Sequence, residues 1–130
     1  MHVIVRRAAL VLMLVIATAC SREPLKVATI QVGRTLNSDN SVGTITTRFK
    51  PGDTIYASVI TEGRGAGTLS VRWLSGGRVL TEEQKDVRYS DRAATEFHMN
   101  FAGGLPPGQY QVELFLDGQP IGARDLTVDN

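Results

Sequence analysis

The chain has 130 residues, with 14 basic and 13 acidic side chains, 42% hydrophobic residues and a single cysteine. That length allows one domain with a modest core, and the charge balance leaves no basic excess to attract nucleic acid. One cysteine excludes an internal disulfide, so packing has to hold the fold.

His2, Arg6 and Arg7 form a basic start, and Ala8–Ala17 (AALVLMLVIA) is an unbroken apolar run closed by Thr18, Ala19 and Cys20. A helix needs about 20 apolar residues to cross hydrocarbon. A run about half that long, ending in small residues, predicts a cleaved signal peptide over residues 1–19. Ala17-Thr18-Ala19-Cys20 resembles the lipobox of bacterial lipoproteins, with Ala17 where that family usually has Leu. The resemblance implies a diacylglyceryl group on Cys20, which becomes the new N-terminus. Ser21 after it implies transport to the outer membrane in two-membrane bacteria. The expected location is therefore the bacterial cell envelope, lipid-anchored and facing the periplasm. An ordinary secretory signal, leaving Cys20 as a free thiol, is the other reading of the same stretch.

Without Arg6 and Arg7 the chain carries 12 basic and 13 acidic side chains. Residues 20–24 read as the lipidated cysteine and a tether whose four residues span at most about 14 Å. The domain, residues 25–130, is thus expected to work close to its anchor. Two or more acyl chains hold a protein firmly where one holds marginally.

Leu25–Arg34 changes parity between Leu25/Val27 and Ile30/Val32, which predicts a strand with a bulge near Ala28–Thr29. Asn37–Ser41 is turn chemistry. Thr44–Phe49 and Thr54–Thr61 read as strands divided by Lys50-Pro51-Gly52-Asp53. The second is apolar on both parities, with Tyr56 and Ile60 on one of them. Such a strand is covered on both faces or uses one for binding. Glu62–Gly67 (EGRGAG) is expected as a loop, and Leu69, Val71 and Trp73 share one face of the next strand.

Ser75-Gly76-Gly77-Arg78 should turn the chain back, and residues 82–93 read as a solvated strand or loop. Phe97, Met99 and Phe101 are expected inward, with Glu96, His98 and Asn100 outward. After Pro106-Pro107-Gly108, the residues Tyr110, Val112, Leu114 and Leu116 point inward, and Asp117-Gly118 is a favoured two-residue hairpin turn. Across it Leu116 opposes Gln119 and Phe115 opposes Pro120, which makes the last strand an edge there. The parity change from Ile121 to Leu126 and Val128 predicts a bulge at Gly122–Arg124.

About seven short strands with turns between them predict an all-β antiparallel sandwich. The residues that fill it resemble the immunoglobulin-like and fibronectin-III-like folds. Trp73 sits mid-chain where those folds bury a tryptophan, and Gly108-Gln109-Tyr110-Gln111-Val112 is similar to their tyrosine corner. Val112 takes the position of the second disulfide cysteine, so the resemblance implies a disulfide-free version. Phe49–Tyr56 (FKPGDTIY) also looks like the opening of bacterial envelope Ig-like domains of unassigned role.

Few residues here could carry chemistry. His98 is the only histidine after residue 20, on a strand's polar side, and a Ser-His-Asp arrangement needs that histidine oriented by a carboxylate beside a nucleophile. His98-Met99 lacks the downstream Met and His ligands of a soft-metal site. Asn37, Asp39 and Ser41 lack the Gly and Glu spacing of a calcium loop. Gly63–Gly67 precedes a strand, whereas phosphate loops precede a helix. No cofactor, metal or small-molecule substrate is implied. Phe115 and Pro120 are expected to form a small exposed apolar patch, and Tyr56 joins them as a candidate contact with an envelope partner. The expectation is a non-catalytic binding or bracing module. The alternative is a peptidase inhibitor acting through glycine-rich loops 62–67 and 102–108 at one end of the sandwich.

Overall fold

A computed structural model describes residues 23–130; the expected signal peptide and the expected lipidation site, Cys20, lie outside the described residues. Eight strands follow in order: β1 Lys26–Gly33, β2 Arg48–Phe49, β3 Ile55–Glu62, β4 Gly65–Ser75, β5 Arg78–Tyr89, β6 Ala93–Met99, β7 Gly108–Leu116 and β8 Gln119–Val128. They form two sheets, β1-β3-β6 and β2-β8-β7-β4-β5. All pairings are antiparallel except β2 with β8, which is parallel.

The core lies between the sheets, where period-two alternation delivers one face of each strand. Ile55, Ala57, Val59 and Phe97 of the smaller sheet meet Leu69, Val71, Trp73, Val112, Leu114 and Leu126 of the larger. Trp73 is only 1% exposed. Tyr110 packs into the same core and donates its hydroxyl to the Pro106 carbonyl. That bond closes the corner between the β6–β7 loop and β7, as the tyrosine-corner expectation required.

The two ends of the sandwich differ. Register places the β3–β4, β5–β6 and β7–β8 turns at one end and the β4–β5 turn and β6–β7 loop at the other. The chain enters at the first end. The Ala66 amide donates to the Glu23 carbonyl at 2.9 Å, Pro24 bridges Ala66, and Leu25 is buried. Glu23 and Pro24, expected within the short tether, are docked against β4.

Several expectations need correction. Thr44–Phe49 is not one strand: the Arg34 amide bonds Thr44 and the Thr46 amide bonds Val32, whereas the Thr127 amide bonds Thr47. The segment leaves the edge of β1 and crosses to β8, so no single sheet holds it. The glycines of 62–67 are not all loop, because β4 begins at Gly65. A Cβ on Gly65 would lie 2.8 Å from the Pro24 carbonyl oxygen, so this glycine permits close approach of backbones. Phe101 is 43% exposed rather than inward. β6 ends at Met99, the chain turns with the Gly104 amide on the Phe101 carbonyl, and Leu105 takes the buried place.

The last bulge falls at Ile121, where register shifts opposite Leu114 and Phe115, rather than at Gly122–Arg124. The bulge near Ala28 stands where parity predicted it, between Val27 and Thr29. Both two-residue turns also stand as expected, with positive φ at Gly76 and Gly77 and at Asp117 and Gly118. Residues 82–89 belong to a solvated strand.

Candidate functional site

Each sheet has an outer face, and the two are treated differently. Over the smaller sheet, the segment between β1 and β2 folds back across the outward side of β3. The Ser58 hydroxyl donates to the Asn40 carbonyl at 2.6 Å, and the Val42 amide donates to the Gln31 side chain at 3.0 Å. Ser58 and Ile60 are consequently buried although both point away from the core. The two-sided apolar character of β3 is thus mostly cover. The Asn37–Ser41 turn that makes this cover is held by Asp39, whose carboxylate accepts from the Ser41 hydroxyl and amide. Those bonds hold the Asp39 carboxyl below the usual carboxylate range.

Farther along the same face, Tyr56 pairs across the ladder with His98, their ring centroids 5.9 Å apart. His98 Nδ1 lies 3.1 Å from the Glu96 carboxylate, and the histidine side chain is half exposed. A carboxylate beside a histidine is two parts of a catalytic triad, but Tyr56, rather than a serine, occupies the cross-strand position. Among the described residues, no three His, Cys, Asp or Glu side chains gather as a metal ion would need.

The outer face of the larger sheet is open. Phe115 points outward from β7, as its parity required, and pairs with Ser70 on one side and Pro120 on the other. Arg72, two residues along β4, lays its guanidinium over the ring at 5.2 Å from the centroid. Glu82 of β5 accepts from Arg72 Nε at 2.8 Å, and Glu113 of β7 lies 3.5 Å from the same guanidinium. Two carboxylates and a ring thus fix one arginine in place. Such a pair contributes about 0.5–1 kcal/mol at an exposed site. Around it runs a shallow depression of about 410 Å³, lined also by Ser70 and Gln84. Being wide and open, it offers a surface rather than a closed substrate pocket.

The structure therefore brings Phe115 and Pro120 together and leaves Tyr56 on the other sheet. Arg72, the residue that organises the patch, was missed in the sequence. Its only signal was its parity opposite to Leu69, Val71 and Trp73. The two glycine-rich stretches of the inhibitor reading are not brought together either. The β3–β4 turn and the β6–β7 loop stand at opposite ends of the sandwich, and the first has shrunk to Gly63-Arg64.

No protein-family model and no curated protein matches this sequence. Solved structures do. An immunoglobulin-like protein from Pseudomonas aeruginosa superposes with a TM-score of 0.56 at 11% identity, over 84% of this chain and 99% of its own. The fold is an immunoglobulin-like β-sandwich, all-β and without a disulfide. A Pseudomonas fluorescens alkylpurine DNA glycosylase, bound to DNA containing an abasic site analog, superposes at 0.52 with 13% identity. This chain covers 31% of that enzyme and 83% of itself is matched. At such identities both likenesses concern the fold alone.

Proposed function

We propose that this protein is a non-catalytic, lipid-anchored component of the bacterial cell envelope that binds or braces another envelope protein. Cys20 carries the lipid, and the outer face of the larger sheet carries the contact. The observation that supports the contact is Phe115 held beneath Arg72 on an open face. Arginine and aromatic side chains are enriched at protein interfaces and dominate their energetics. The opposite sheet has much of its outer face already covered by its own chain, which favours approach from the Phe115 side. Docked Glu23 and Pro24 keep the domain near its anchor, so the partner lies in or close to the same membrane.

Crosslinking in intact cells tests the reading, with tagged wild type compared against Cys20→Ser, Phe115→Ala and Arg72→Ala. One abundant partner, lost with Cys20→Ser and reduced several-fold by either face variant, is the expected result. Capture that ignores both face variants moves the contact elsewhere. No partner at all, with crosslinking controls working, removes the accessory role.

A further inference from the structure

The docked entry of the chain has a consequence for how the domain stands on its membrane. Glu23 and Pro24 lie along the start of β4, with the Ala66 amide on the Glu23 carbonyl and Leu25 buried beneath. Only Ser21 and Arg22 separate Glu23 from Cys20. Three residues of chain reach at most about 10 Å. The end of the sandwich bearing the Gly63-Arg64 turn and Ser90 is thereby the end nearest the lipid. The other end, with Arg78, Val79 and Phe101, lies the length of β4 away, eleven residues or about 35 Å at the usual rise.

We propose that the docked tether fixes the polarity of the domain, so that the Arg64–Ser90 end is a membrane-apposed surface facing phospholipid headgroups. This rests on the lipid at Cys20. Charge does not set the orientation. Arg64 and Arg88 are offset at that end by Glu23 and Asp91, and Arg92 is paired with Glu62 at 2.9 Å. The tether sets it, through the backbone bond to Ala66 and the burial of Leu25. The exposed apolar side chains Val79, Leu80 and Phe101 are correspondingly carried away from the membrane.

The full-length lipidated protein, reconstituted in phosphatidylcholine vesicles with nickel-chelating headgroups, reads this directly. The lipid occupies the thiol of Cys20, so a spin label reacts only with an introduced cysteine. Ser90→Cys should be broadened several-fold more strongly than Arg78→Cys. A flexible Gly-Ser spacer of about ten residues between Arg22 and Glu23 should abolish the difference while leaving the domain untouched. Adding phosphatidylglycerol should leave the difference unchanged. Equal broadening at both positions overturns the proposal, as does a difference that survives the spacer or that needs the anionic lipid. Intact mass separates the two failures. Unmodified Cys20 overturns the anchor and the polarity together, whereas modified Cys20 with equal broadening overturns the polarity alone.

Discussion

Lys85 of β5 reaches across from the larger sheet to donate to the backbone carbonyl of Glu96 on β6 of the smaller. Its ammonium also lies 3.5 Å from the Glu96 carboxylate and 4.9 Å from the centre of the Phe97 ring. Among the described residues β6 pairs only with β3, so there its other edge presents unpaired backbone groups, a template for unwanted strand addition. Lys85 answers one of those groups, and Tyr89 caps the neighbouring Thr95 hydroxyl at 2.7 Å.

Replacing Lys85 by Met keeps the apolar stem and removes the donor. The expected cost is about 1–2 kcal/mol, the range for a hydrogen bond made by a charged group and partly screened by solvent. Urea unfolding measures it. Light scattering should rise with protein concentration in the variant, and no change in either quantity would show the latch to be ornamental.

Tyr110 carries a pH dependence. Burial pushes its phenol above the ordinary value of about 10. The folded state then holds the proton more tightly than the unfolded chain does. The stabilisation is full below the unfolded value and is lost as pH rises through the folded one. Stability measured from pH 8 to about 11 should therefore fall at the alkaline end, and Tyr110→Phe should flatten that fall. At neutral pH the same variant should lose about 1 kcal/mol with the bond to Pro106.

Gly33 should be irreplaceable where Gly52 is not. A Cβ on Gly33 would lie 1.8 Å from the backbone oxygen of Thr44, an atom that cannot move without dislodging the covering segment. Gly33→Ala is expected to cost about 3 kcal/mol, the upper part of the overpacking range. Gly52 has nothing within 4 Å of the added atom, so Gly52→Ala should stay within about 0.5 kcal/mol. Thermal melts of the pair distinguish local crowding from a general intolerance of glycine replacement.

The Arg72–Phe115 stack should appear as a coupling in a double-mutant cycle. Arg72→Ala and Phe115→Ala together should cost about 0.5–1 kcal/mol less than the sum of the single changes. Additive costs would mean that the guanidinium is held by Glu82 and Glu113 alone.

The strands that face the core were legible because alternation is a local signal. Leu69, Val71 and Trp73, like Tyr110, Val112 and Leu114, needed no knowledge of their neighbours in space. Phe101 was not legible, since its parity continues that of Phe97 and Met99 while the strand stops short of it. The glycines after Glu62 misled for a related reason. A missing side chain signals a loose loop and a tight contact equally, and only the docked Pro24 decides between them. The same holds for the candidate surface. Phe115 and Pro120 could be paired through a hairpin of known register, but which sheet receives Tyr56 depends on pairings dozens of residues apart. Arg72 stood unnoticed for that reason as well.

The direction in which the chain enters has a mechanical meaning. β1 follows directly from the docked residues and pairs antiparallel with β3 over seven positions. A pull on the tether acts along the axis of β1, while the ladder bonds lie across it. The load is therefore shared among many bonds in shear, instead of opening them one after another as a zipper opens.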